Sequence, residues 1–368
     1  MPRKNYGKVR RYRSSFYRSR AYWLRRGAVA LVTLAVLFGL GWFIGPAVIN
    51  FGTHTWYSLK NGGEKGPTGP ASSIAASQPQ ATPTPAPTPT PEPVKIDTDA
   101  GWSYVTLSSL AGEEQARATA AALKDQGVRY AVITLKDRQG YIYYPSAQPL
   151  AAGSIASTTL DAAAAVQVLK EEGITPVANL YMYQDPLAAY TDTSRTAAIH
   201  YEDTDYFWLD AAAENGGRPW LNPYSDLAFD YLNGLLEEVK AMGFEQILLS
   251  AVQFPNGASA RCGYGDTAGV EMPAQLAAIV ARWQGWAKEE EMLLWFEYTL
   301  QQAAANPETG SPQLGGGTLA GLGLENVMIT LPDDPEIDPA PLLEQARANT
   351  AGVEYRVVRS GNTASFDE

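Results

Sequence analysis

Gly243-Phe244-Glu245-Gln246-Ile247-Leu248-Leu249-Ser250-Ala251-Val252-Gln253-Phe254-Pro255 decides the fold. The stretch reads as a helix stop at Gly243, a buried strand over Ile247 to Val252, and a turn at Gln253-Phe254-Pro255. Glycine just past a helix supplies the left-handed cap, and an unbroken apolar strand suits a sheet covered on both faces. The same unit occurs twice upstream. Leu123 to Gly127 leads to Tyr130–Leu135, and Leu169 to Gly173 leads to Thr175–Leu180. Helix then strand, repeated, means right-handed crossovers and a parallel sheet.

Further strands extend the series: Trp102–Leu107, Met292–Tyr298, Val327–Leu331 and Val353–Val358, with helices over Asp226–Met242 and Ala274–Lys288. Seven strands are legible, one short of eight. The length of the 98–368 body suits a (β/α)8-type TIM barrel of about 250 residues. An open doubly wound sheet is the rival. Gly321-Leu-Gly323 precedes a strand rather than following one, so it is no dinucleotide fingerprint.

The regions before the body differ in composition. Residues 1–26 hold ten Lys and Arg and no acid, leaving 18 bases against 39 acids, net −21, in the rest of the 368-residue chain. Gly27 to Val48 carries no charge. About 20 apolar residues span a bilayer, and a basic flank stays cytoplasmic. The expected order is therefore a basic cytoplasmic arm (1–26), a transmembrane helix (27–50) and a body outside the cell membrane. A cleaved signal peptide has a shorter leader and a shorter apolar run. The partner of the 27–50 segment is thus the lipid bilayer, and nucleic acid is not expected. Residues 51–97 form a linker with nine prolines between Pro67 and Pro93, suited to extended polyproline II.

Several chemistries lack their residues. One cysteine, Cys262, allows no internal disulfide, and the two histidines, His54 and His200, make neither a zinc site nor a serine-hydrolase triad. No cofactor is expected. Glycosidases instead need two carboxylates at strand ends. Asp137, Asp185, Glu297, Asp333 and Asp334 are so placed, and Glu297, between Trp295 and Tyr298 and their apolar strand, is the best candidate for a proton-holding acid. Asp137 is its candidate catalytic partner. The stretch between the third and fourth strands is rich in aromatics that could stack on sugars or simply pack: Tyr181, Tyr183, Tyr190, Tyr206, Phe207, Trp208, Trp220 and Tyr224.

Four stretches together carry a resemblance: Ala131 to Gly140 with Tyr144-Pro-Ser146, Ala178 to Pro186, Trp220 to Tyr224, and Gly243 to Pro255. They resemble a bacterial domain-of-unknown-function class of glycoside-hydrolase-like, amylase-like TIM barrels, over roughly Trp102 to Leu331. The resemblance implies a polysaccharide or cell-wall glycan as partner. Its pattern has Asp at Thr134, Arg at Asn179, Asp at Asn222, Asp at Ser250 and Arg at Gln253, whereas Lys136, Asp137, Asp185 and Pro186 match it. Ser250 stands where such barrels place their nucleophile. Five charged positions are neutral here, so the resemblance implies a degenerate site with weak or lost hydrolysis. Substrate contact is expected from Lys136, Asn179, Tyr181, Tyr183, Asp185, Trp220, Asn222, Ser250, Gln253, Trp295 and Tyr298. The competing class is a structural or protein-binding barrel with no sugar site.

Protease added outside intact cells is expected to remove the body and leave residues 1–26 intact. A body protected together with its arm would contradict the assigned topology.

Overall fold

The computed structural model describes residues 101–256, 261–331 and 339–359. The arm, the apolar segment, the linker, Asp333 and Asp334 lie outside the described residues. Among those described, no helix is long and apolar enough to cross a membrane.

Seven parallel strands form one sheet: β1 (Gly101–Val105), β2 (Val128–Lys136), β3 (Thr175–Tyr181), β5 (Gln246–Ser250), β7 (Leu293–Thr299), β8 (Asn326–Leu331) and β9 (Glu354–Arg359), in that spatial order. The connecting helices are α1 (Glu113–Asp125), α2 (Ala162–Glu171), α3 (Pro186–Thr191), α4 (Asp226–Ala241), α5 (Met272–Glu289), α6 (Leu300–Ala303) and α7 (Ala340–Asn349). Two short strands, β4 (His200–Tyr201) and β6 (Cys262–Gly263), pair antiparallel outside the main sheet. The helix–glycine–strand repeat has the expected physical basis. Gly127, Gly173 and Gly243 have φ of +73°, +76° and +91°, a conformation that side chains with a Cβ resist. The helices that precede them start on Glu113 and Glu114 in the first turn (α1), on Asp161 capping Ala164 N at 3.1 Å (α2), and on Ser225 capping Ala228 N at 3.3 Å (α4).

Side chains on the two sheet faces enter different cores. One face packs under the helices, through residues such as Ile133, Leu180, Leu249 and Phe296. The other gathers Tyr130, Val132, Val177, Leu248, Trp295 and Met328, with Trp102, Tyr104 and Leu293 against them. Trp102 of β1 stacks on Tyr130 at 4.6 Å and meets Trp295 of β7 edge-on at 5.1 Å. Three strands separate β1 from β7, which in a flat sheet would hold them roughly 19 Å apart. The sheet is therefore curled around an aromatic floor, in the manner of a TIM-type barrel. Closure is not reached among the described residues. β1 and β9 are the two edges, with no ladder between them, so the sheet is an open, half-barrel one and the closed form of the expected TIM-type barrel is not reached.

Trp295 is fully buried, and its indole N–H donates to Gln246 Oε1 at 3.1 Å. Trp295→Ala is expected to cost about 3–5 kcal/mol in denaturant unfolding, because a packed floor relaxes only partly around the cavity left by so large a side chain.

Candidate functional site

Above the aromatic floor, the inner face turns polar. Thr134 of β2, Asn179 of β3 and Ser250 of β5 are buried, and Glu297 of β7 lies beside them, partly accessible. They form one directed chain of hydrogen bonds. The Thr134 hydroxyl donates to Asn179 Oδ1 at 3.2 Å. Asn179 Nδ2 donates to Ser250 Oγ at 2.7 Å and to the Leu248 carbonyl at 3.2 Å. Ser250 Oγ donates to Glu297 Oε2. From β1, the Tyr104 hydroxyl donates to the other carboxyl oxygen, Oε1, at 3.4 Å. Asn179 thereby uses both its N–H groups and its carbonyl, and the Ser250 oxygen is occupied as an acceptor. Its proton is left to face Glu297.

Burial pushes the Glu297 carboxyl above its ordinary value, and the Ser250 and Tyr104 hydrogen bonds pull it partly back. The Tyr104 phenol is pushed up well beyond its usual range by burial and then by the Glu297 charge. Tyr181 stands at the same mouth. Its phenol is raised by burial first, then by Glu297, with opposing influences from Arg138 and Asp137. Tyr104 was not singled out by sequence reasoning. The signal was available, since Trp102 and Tyr104 alternate on β1 as inner-face positions must.

Other expected site residues lie elsewhere. The β2–β3 register shifts between Thr134 and Lys136, pairing Lys136 with Leu180, a residue of the outer core. Such a shift re-aims a side chain. Lys136 Nζ lies 3.0 Å from Asp185 Oδ2, both side chains fully buried, and also donates to the Tyr181 carbonyl. Asp185 further accepts from Tyr231 at 2.9 Å and caps Ala188 N at 2.9 Å. The pair is sealed under the helices and does not line the mouth. Asp137 holds a turn: one oxygen accepts from the backbone of Gln139 and Tyr141, each at 2.9 Å, and the other from the Tyr143 hydroxyl at 2.8 Å.

The aromatics behave likewise. Tyr183 and Tyr298 are buried in the outer core, Trp295 in the floor. Trp220 is buried and donates to Asp210 at 2.9 Å. Ala251, at φ +55°, ends β5 and turns the chain, so Gln253 meets Gln302 of α6 rather than the mouth. Asn222 braces the outer loops, donating to the Tyr264 carbonyl at 2.9 Å. Of the five neutral positions, Thr134, Asn179 and Ser250 converge on Glu297, and Asn222 and Gln253 do not. Among the described residues, no cluster of three or more His, Cys, Asp or Glu could hold a metal.

The partly accessible carboxyl of Glu297 lies at the C-terminal ends of the strands, the end of the sheet at which parallel barrel enzymes place their active sites. Residues 103–284 match the family described as a putative glycosyl hydrolase domain. The match starts in β1 and ends within α5, so the matched region includes Thr134, Asn179 and Ser250, and Glu297 follows it. No curated protein matches the sequence. Among solved structures, a hypothetical protein from Ruminiclostridium thermocellum is 21% identical, with 52% of this chain and 95% of that one covered and a TM-score of 0.43. An exo-β-N-acetylglucosaminidase from Vibrio harveyi is 12% identical, covering 68% of this chain and 39% of that one, with a TM-score of 0.43. A β-N-acetylhexosaminidase from Bacteroides fragilis is 14% identical, covering 70% and 49%, with a TM-score of 0.45. The chain thus spans half or less of the length of those two hydrolases.

The Glu297 environment has a pH signature. A carboxyl whose value is raised on folding contributes stability that is complete below its unfolded value and is lost as pH rises through the folded one. Each unit of separation is worth about 1.4 kcal/mol. Wild type is therefore expected to lose stability relative to Glu297→Gln as pH rises through and above the ordinary glutamate range in urea unfolding. A difference that stays flat across that window would contradict the assignment.

Proposed function

We infer that this chain is a membrane-tethered, extracytoplasmic glycan-binding protein built on a glycosyl hydrolase domain, with hydrolysis weak or lost. The observation that carries the reading is the contact between Glu297 and Ser250. Glycoside hydrolysis uses one carboxyl to protonate the leaving oxygen and a second to attack the sugar or to activate water. Glu297, with its raised proton affinity, suits the first task. The group that faces it is a serine hydroxyl already committed to a hydrogen bond, and a hydroxyl holds no negative charge near neutral pH. Asp137 is fastened by three donors to its own turn. Binding has gentler requirements. The Tyr104 and Tyr181 phenols and the Glu297 carboxyl give the mouth rings, donors and acceptors suited to sugar hydroxyls. The tether rests on the ten bases of residues 1–26 beside the uncharged 27–48 run, and the proline-rich linker would hold the body away from the membrane surface.

The full-length chain, incubated with isolated wall polysaccharide, is expected to co-sediment with it and to release few or no reducing ends. Glu297→Gln should leave binding nearly unchanged, and Ser250→Asp should raise turnover above wild type by supplying the second carboxylate. Robust hydrolysis by wild type, abolished in Glu297→Gln, would overturn the reading.

A further inference from the structure

A second concavity lies apart from the Glu297 network. It is an open cleft of about 1020 Å³, shaped by the segment between α3 and α4 and by the loop carrying β6. None of Thr134, Asn179, Ser250 or Glu297 lines it. Its walls are cross-braced. β4 pairs with β6, Asn222 holds the Tyr264 carbonyl, and the Tyr224 hydroxyl donates to the Val270 carbonyl at 2.8 Å. Tyr224, Tyr264 and Phe254 form a ring cluster with centroids 5.4 to 5.9 Å apart. A cleft fixed in this way has little ordering left to lose when a ligand enters.

The lining has a consistent chemistry. Tyr201, Tyr224 and Tyr264 line it, as do the hydroxyl-bearing Thr196, Thr204 and Ser225. Four carboxylates border it, Asp203, Asp205, Asp226 and Asp266, against one cation, Arg195. Arg195 is already engaged: its guanidinium donates to the Asp205 carbonyl at 2.9 Å and sits over the Phe207 ring at 5.3 Å. Asp226 faces Arg282 at 3.9 Å, and Asp266 caps Ala268 N. Asp203 and Asp205 are exposed at the tip of the turn 201–206, which is closed by Tyr201 N to the Tyr206 carbonyl at 2.9 Å. His200, in the same wall, is held below its usual value, by burial first, and so stays neutral near pH 7 and does not offset the carboxylates.

We propose that this cleft is a second saccharide site, selective for amine-bearing sugars: the tyrosine rings and wall hydroxyls take the sugar body, and Asp203 and Asp205 take free ammonium groups. An acylated amine loses the charge and its match to the rim. An acidic glycan is repelled by a wall with four carboxylates and one committed guanidinium. The site is separate from the Glu297 mouth, and its occupancy needs no chemistry there.

Three probes and the full-length chain test it by calorimetry: a glucosamine hexamer, its fully N-acetylated counterpart, and hexalysine. The expected result is binding of the glucosamine hexamer that weakens with added salt, with the acetylated hexamer and hexalysine both at least about tenfold weaker, since about 1.4 kcal/mol separates them at that ratio. Asp203→Asn with Asp205→Asn, both on an exposed turn, should remove the preference for the free amine. Tyr201→Phe should bind as wild type, with the ring intact, and Tyr201→Ala should weaken all saccharide binding. Glu297→Gln, which alters the mouth alone, should keep the preference for the glucosamine hexamer over its acetylated counterpart, which separates failure of this site from failure of the mouth. Equal binding of the acetylated hexamer, equal binding of hexalysine, no binding of the glucosamine hexamer, or loss of the preference in Glu297→Gln would each overturn the proposal.

Discussion

The polar mouth of this protein depends on the chain of hydrogen bonds from Thr134 through Asn179 and Ser250 to Glu297. It crosses four adjacent strands, and each member is oriented by the one before. A buried polar group without a partner is costly, and a half-satisfied network costs more than an apolar one. Here every group has its place, so the strand ends can be polar without destabilising the sheet. The same saturation limits chemistry. The Ser250 proton is committed to Glu297, and Asn179 has no spare N–H for a ligand. The residue with latitude is Glu297, partly accessible and lifted in proton affinity by its surroundings.

The curl of the sheet makes that network possible. Trp102, Tyr130 and Trp295 fill the space beneath it, bringing β1 across to β7 and so Tyr104 to Glu297. A flat sheet would leave Glu297 with neighbours only from β5 and β8. The open edges at β1 and β9 do not disturb this arrangement, because the contacts that matter cross the interior.

Much of this architecture was legible in the sequence, for a local reason. Gly127, Gly173 and Gly243 mark helix ends whose geometry needs no distant partner, and the seven apolar runs of the sequence are the seven strands of the main sheet. Period-two alternation also brought Thr134, Asn179, Ser250 and Glu297 to one face. What was hidden depends on long-range contacts. Nothing local announces the register shift that sends Lys136 outward to Asp185. Nothing near Asp137 says that its carboxylate closes a turn onto Tyr143. The aromatic richness of residues 181–224 was visible, but Tyr183, Trp208 and Trp220 are buried whereas Tyr190 and Tyr206 are exposed, and composition does not sort them. The cleft beside β4 and β6 was invisible for the same reason: its two walls come from segments some sixty residues apart.

One carboxyl, Glu297, stands at the mouth, and the group that faces it is the Ser250 hydroxyl, where a hydrolytic pair would need a second carboxylate. Infrared difference spectra of wild type against Glu297→Gln, followed across pH, read that carboxyl directly. The account predicts a single titration step above the ordinary glutamate range, moving higher still in Ser250→Ala as a donor to the charged form is lost. Two coupled steps, the mark of a carboxylate pair sharing the site, would contradict it, as would a single step in the ordinary range.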